Sequence, residues 1–316
     1  MNFRIFPEQA SRIAEQTDYL YWGLLCLSAA TCLAVFVPMF YFLFKYRNGK
    51  PADRTPLDLP EYKIEIAWTI VPTLIFMGFY IWGSRNYFAI ERPPPDAMEI
   101  NVVGKQWMWK IQHPEGNREI NELHLPLGRD VKLTMTSQDV IHSFYLPEFR
   151  VKQDVVPGRY TTEWVKPDRI GTYNLFCSEY CGTSHSLMVG RVFVMSPADY
   201  QRWLAKGQPG SSLVESGAVL FRELGCSGCH MGNSVIHAPP LEGVFGKPVP
   251  LSDGEVIAAD EGYIRDSILF PAKQIVAGYS NAMPTFSGKV SEEETLELIA
   301  YIKSLANQSP SLEVRP

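Results

Sequence analysis

The chain has 316 residues, a formal net charge of −5, 20% charged and 46% hydrophobic residues. That length exceeds what one domain ordinarily takes, and the mild acidity excludes a nucleic-acid partner, which would need a basic surface. The average hides long uncharged stretches, so the chain is not one uniform soluble body.

Residues 1–18 are polar and lack the apolar centre of a cleavable signal peptide; they are expected to form an external N-terminal segment, with insertion left to the first apolar stretch. Tyr19 to Phe44 carries no charge, and neither does Ile66 to Ser84. A spanning helix needs roughly 20 apolar residues, so residues 19–95 are expected to form a transmembrane helical hairpin. Tyr19 to Phe44 has no polar face, which argues against a pair of core helices in a soluble protein. Pro38 and Pro72 are tolerated because neighbouring helices can satisfy the freed carbonyls. The connector carries Lys45, Arg47, Lys50, Arg54 and Lys63, against Arg4 and Arg12 before the first helix and Arg85 and Arg92 after the second. Positive-inside reasoning therefore places both termini, and the chain beyond residue 95, outside.

Residues 96–195 read as short strands. Val131, Leu133 and Met135 alternate with Lys132, Thr134 and Thr136, residues 160–164 alternate again, and Gly and Pro clusters separate the runs. Such strands predict an antiparallel sandwich or barrel. Ser196-Pro-Ala-Asp199 opens a short helix with Pro at its first position, and Lys206 to Ser212 is a flexible tether, so 196–212 is a linker. A further domain covers 213–308, with 309–316 as a tail. Its last helix starts at the capping box Ser291-Glu-Glu-Glu294 and carries Leu296, Ile299, Tyr301 and Leu305.

The chemistry lies in two motifs. His142 together with Cys177-Ser-Glu179-Tyr-Cys181-Gly-Thr-Ser-His185-Ser-Leu-Met188 gathers two thiolates, two imidazoles and a thioether. Two Cys and two His would make a closed zinc site, but zinc has no use for Met188. Soft sulfur with imidazole and a weak Met contact selects copper that passes electrons. Cys226-Ser-Gly-Cys229-His230 has the spacing of covalent c-type haem attachment. Cys26 and Cys32 fall in the first apolar stretch as packing residues, so no cysteine remains for a disulfide. His113, His124 and His237 lack partner spacing and read as structural or surface residues.

The pattern of His142, Cys177, Glu179, Cys181, His185 and Met188 resembles the binuclear CuA centre of subunit II of the haem-copper cytochrome c oxidases. Gly217, Phe221, the haem motif, Pro239-Pro-Leu241 and Asn281-Ala-Met283-Pro284 resemble a class I cytochrome c. The full arrangement looks like subunit II of a caa(3)-type oxidase. That resemblance implies a multidomain fold: a two-helix transmembrane hairpin, a cupredoxin-like all-β Greek-key domain and an all-α class I cytochrome c domain. It implies that Cys177 and Cys181 bridge two coppers. His142 and Met188 would complete one, and His185 with the Glu179 backbone carbonyl the other. The Glu179 carboxylate would help bind magnesium at the contact with subunit I. Cys226 and Cys229 would hold haem c, with His230 proximal and Met283 distal; Met231 is the rival, but it comes directly after His230 and starts on the proximal side. Trp107 would admit electrons to CuA, and Glu65 would stand at the mouth of a proton pathway. Lys105 and Met108 depart from the family, which often has His and an aromatic there.

The implied function is electron input to a proton-pumping terminal oxidase of the bacterial cytoplasmic membrane. Electrons would come from an external cytochrome c, a small copper protein or an upstream quinol-oxidising complex, and pass through haem c and CuA to subunit I, where oxygen becomes water. The two apolar stretches contain no histidine, so the oxygen chemistry belongs to a partner. Two alternatives are the electron-input subunit of a CuA-containing nitric oxide reductase and a membrane-tethered shuttle or copper carrier; against the carrier, a bridged five-ligand site retains its metal. Residues 211–316 hold thirteen acidic and seven basic side chains, against twelve and eleven in 96–197. The haem domain carries the acidity, which favours a basic or neutral donor docking there.

Overall fold

The computed structural model describes residues 6–51, 60–206, 212–231 and 238–307; Arg4, Arg54 and His237 lie outside them. The chain divides into two units, one ending at Pro93 and including Glu148–Arg150, the other comprising the remainder.

The first unit is built on α1 (Arg12–Lys45) and α2 (Glu61–Glu91), which continue through Pro38 and Pro72. Their most apolar stretches have mean hydropathies of 2.1 and 1.7 and bury nothing within the chain. Apolar side chains therefore point outward all round, as lipid or partner helices require. The pair is joined in part by Gly23, where an added Cβ would come within 3.2 Å of the Phe79 ring. α1 starts ahead of the uncharged stretch because local polar contacts extend it. Ser11 Oγ accepts from the Ala14 amide, the Thr17 hydroxyl donates to the Ile13 carbonyl, and Asp18 meets Arg150 Nε at 2.9 Å.

The second unit opens with a ten-stranded sandwich. Its strands are β1 (Met98–Lys105), β2 (Met108–Gln112), β3 (Arg118–Ile120), β4 (Glu122–Pro126), β5 (Val131–Ser137), β6 (His142–Leu146), β7 (Val151–Val155), β8 (Thr161–Val165), β9 (Gly171–Cys177) and β10 (Val189–Met195). One sheet runs β3-β2-β1-β5-β8 and the other β4-β10-β9-β6-β7. Trp109, Leu133, Phe144 and Leu175 are fully buried in it. The expectation of an antiparallel sheet needs correction at two pairs, since β1 with β5 and β4 with β10 run parallel. Alternation reports which residues share a face and says nothing of the neighbour's direction.

α3 (Pro197–Lys206) follows β10 at once and belongs to the sandwich: its Tyr200 is buried and its Trp203 stacks on His124 with centroids 4.4 Å apart. After it come α4 (Leu213–Glu223), α5 (Ser227–His230), the β11–β12 hairpin (Pro248–Pro250, Val256–Ala258), α6 (Glu261–Leu269) and α7 (Glu292–Ser304). Capping boxes start α4 at Ser212 and α7 at Ser291. Phe221, Ile264, Ile268, Leu298, Ile299 and Ile302 form the core of this helical domain.

Candidate metal centres

β9 ends at Cys177 and β10 begins at Val189, so the Cys-rich segment is the loop between two paired strands. The Cys177 amide donates to the Met188 carbonyl across the base of the loop, and the Ser178 amide reaches the Ser143 carbonyl. β6 lies beside β9 and starts at His142, which brings that imidazole to the same end. The two sulfurs stand 3.7 Å apart, Cys181 Sγ is 3.4 Å from His185 Nδ1 and 3.8 Å from Met188 Sδ, and the Glu179 carbonyl is 3.2 Å from Cys177 Sγ. His142, Cys177 and Cys181 form one compact group of ligand atoms. All six expected ligand positions are thus brought together.

Donor chemistry fits copper. His142 Nε2 donates to Asp139 Oδ1 at 2.8 Å, while its Nδ1 is buried with no partner. A buried orphan nitrogen beside two thiols, with a carboxylate on the far side of the ring to set tautomer and orientation, is the arrangement a metal-binding imidazole needs. Gly104 makes room for the ring, since a Cβ there would lie 2.9 Å from His142 Cδ2. Burial alone would raise both thiols. Contacts with His142 and with the Ser143 and Glu179 backbone instead lower Cys177 to about 6, whereas burial and the neighbouring Cys177 sulfur push Cys181 up to about 12. Two thiols this close favour loss of one proton over loss of both.

Trp107 is next to this loop: its indole Nε1 donates to the Cys181 carbonyl at 3.3 Å, and Gln106 Nε2 donates to the same oxygen at 2.8 Å. Glu65 lies exposed near the start of α2. Sequence reasoning missed Asp139, Gly104 and Gln106 as site residues; the Asp-x-x-His spacing before β6 was the available signal for Asp139. His113 and His124 are structural. His113 is fully buried between Tyr200 and Glu119, and the Glu119 carboxylate accepts from both imidazoles.

In the helical domain Cys226, Cys229, His230 and Met283 line one apolar cavity of about 370 Å³, with Phe221 and Leu298 among its walls. His230 Nδ1 donates to the Pro239 carbonyl at 2.9 Å, which leaves Nε2 as the free ligand nitrogen. Met231 is 51% exposed and is not among the lining residues, whereas Met283 packs against the core. Two thiols, an imidazole and a thioether around an apolar space fit covalent haem with His and Met ligation.

Two long apolar helices, a soft-ligand cluster on a sandwich and an apolar cavity lined by thiols, an imidazole and a thioether define a membrane protein with two candidate cofactor sites. Three family models match along the chain: cytochrome c oxidase subunit II, transmembrane domain over residues 1–82, its periplasmic domain over 118–194, and cytochrome c over 214–306. The chain is 31% identical to cytochrome c oxidase subunit 2 of Thermostichus vulcanus, covering 65% of this chain and 79% of that one. It is 29% identical to cytochrome c oxidase subunit 2 of Alkalihalophilus pseudofirmus, covering 92% of this chain and 88% of the relative. Among solved structures it is similar to the periplasmic domain of subunit II of cytochrome oxidase of Bradyrhizobium japonicum, at 28% identity, 37% of this chain, 97% of that chain and a TM-score of 0.36. The chain belongs to the cytochrome c oxidase subunit II family and carries a fused C-terminal cytochrome c domain, as caa(3)-type subunits do. Its sandwich is the cupredoxin-like domain of that family, and the two domain matches point to copper and haem c.

Proposed function

We propose that this chain takes electrons from an external donor at its cytochrome c domain and passes them through the β9–β10 loop to subunit I of a haem-copper oxidase, where oxygen is reduced and protons are pumped. The observation that carries the reading is the convergence of Cys177, Cys181, His185 and Met188 on a His142 whose Nδ1 is buried and unpartnered. Copper bound in this loop would supply one-electron transfer. The chain's part is to hold it rigid. Cys177 and Cys181 would hold the copper pair through their thiolates, with His142, Met188, His185 and the Glu179 carbonyl as the further ligands. Cys226 and Cys229 would anchor haem c, with His230 and Met283 as the residues available to ligate it.

Trp107, touching the Cys181 carbonyl, is a route for electrons into the copper loop. The Glu179 carboxylate offers one ligand to magnesium, whose remaining ligands would come from subunit I and water. With both termini external, Glu65 lies at the opposite face of the membrane from the metals, where a proton pathway would open. These assignments rest on the family resemblance.

The test is Cys181→Ser in the purified complex. A hydroxyl is too hard and too weakly acidic to bridge copper. The near-infrared band and the mixed-valence paramagnetic signal should vanish and oxygen consumption stop, with the haem c spectrum intact. Retained copper spectra, or zinc in place of copper in the unsubstituted protein, would overturn the assignment.

A further inference from the structure

The cytochrome c domain grips the sandwich through charge. Lys132 of β5 lies 3.3 Å from Glu99 of β1 and 3.4 Å from Glu261 of α6, while Lys303 of α7 lies 2.7 Å from Glu99 and 2.9 Å from Glu261. Each domain supplies one cation and one carboxylate to this square, so every charge touches two of opposite sign. Lys110 of β2 pairs with Glu293 at 2.6 Å, Arg118 of β3 pairs with Glu297, and Arg265 donates to the Gly158 carbonyl at 3.2 Å. Glu293 and Glu297 of α7 thus meet Lys110 and Arg118 on neighbouring strands of one sheet.

Two further observations give the contact a direction. α7 has two working faces: Leu298 and Ile302 line the haem cavity, while Glu293, Glu297 and Lys303 hold the sandwich. Gln138 Nε2 donates to Glu293 at 2.7 Å, its own amide donates to the Gly104 carbonyl, and the next residue, Asp139, holds the copper-ligand His142. The docked face therefore reaches the support of the copper site. Every described residue lining the haem cavity belongs to the cytochrome c domain, so no described residue of the sandwich closes it.

We propose that the cytochrome c domain works while latched: the ion pairs between the β1, β2, β3 and β5 sheet and the α6–α7 face hold it in one delivery position beside Gln138, and the haem cavity stays open to the external donor. This rests on the copper and haem assignments above. A tethered domain has an effective concentration in the millimolar range, so the latch has only to supply what a millimolar contact needs, about 4 kcal/mol.

The test reverses charge on the sandwich alone, with Lys110→Glu and Arg118→Glu together, and then restores complementarity by adding Glu293→Lys and Glu297→Lys. It is done in the full purified complex. Like charges facing each other across the contact oppose docking, so the doubly reversed protein should show haem-to-copper electron transfer slowed by about tenfold or more. Hydrogen exchange should rise on α7 and β2. The fourfold variant should recover both, and haem reduction by the external donor should keep its rate throughout. Electron transfer that is unaltered while exchange rises would mean the latched position does not deliver, and slower donor reduction in the doubly reversed protein would mean the donor uses this face; either result overturns the proposal. Failure of the copper assignment is separable, because copper and haem spectra recorded on the same samples report it directly.

Discussion

At the scale of single residues, the least expected group is Glu163. It stands opposite Leu133 on the inner face of β8, 6% exposed, and neither carboxylate oxygen has a partner. Burial holds its pKa well above the ordinary value of 4.5. The folded state therefore keeps a proton that the unfolded state releases, so the stability Glu163 allows is complete below about pH 4.5 and is lost as pH rises above it. Glu163→Leu should raise the thermal midpoint of the sandwich at pH 7, since an unpaired buried polar group costs about 1–3 kcal/mol. The gain should shrink toward pH 4 when melting is followed by circular dichroism. Glu163→Gln should remove the pH dependence without the full gain. An equal gain for Glu163→Leu at both pH values would show that the carboxyl is ionised in place. The alternation of Tyr160 to Trp164 is legible in sequence, but the side assignment is not. Trp164 faces outward beside Lys132, and Tyr160 packs on the core of the cytochrome c domain.

Among the elements, the α4–α7 pair holds the cytochrome c domain together, and Gly217 is what lets it close. A Cβ at Gly217 would collide with the Glu297 carbonyl oxygen and lie 2.8 Å from Tyr301 Cβ. Backbone atoms of a capped helix cannot step aside, so Gly217→Ala must part the helices over Phe221 and Ile299. Overpacking of this kind costs roughly 1–3 kcal/mol. The haem-domain melting transition should fall by several degrees while the copper spectra stay unchanged, as thermal scans at the haem and copper bands would reveal. An unshifted transition would mean that α4 and α7 are not packed this closely. The capping boxes at Ser212 and Ser291 and the Pro at the start of α3 are readable from sequence, because they act within one turn of chain. Gly217 stands out in sequence as well, but its partner carbonyl, eighty residues on, does not.

For the second unit as a whole, the ion pairs between its domains set an acid limit. Burial would raise Glu99, Glu261 and Glu293, but Lys303 and Lys132 around the first two and Lys110 beside the third outweigh it, and Glu99 is held at about 2. Folded values below the ordinary 4.5 mean that this contribution is present above about pH 4.5 and is lost as pH falls from there toward 2. Glu297 runs the other way, because burial raises it despite Arg118. Hydrogen exchange on α7 and β5 should therefore rise as the pH drops below 4.5, before the sandwich core itself opens. Simultaneous loss of the core would show that the contact between the domains is no weaker than the domains.

The candidate chemistry and the order of the parts were legible along the chain. Two uncharged stretches, the Cys-x-x-x-Cys loop with its His and Met, and the Cys-x-x-Cys-His motif are local signals, because membrane insertion, ligand choice and helix capping depend on residues within a few positions of one another. The resemblance they carry extended the reading to His142, Trp107 and Met283. Long-range contact decides the rest: the parallel pairs in the sheets, the orphan Nδ1 that turns His142 toward the thiols, the burial of Glu163 on the unexpected face, and the ion pairs on the outer side of α7. Each of these depends on which surface meets which across tens of residues of chain, and periodicity along a strand or helix cannot supply that information.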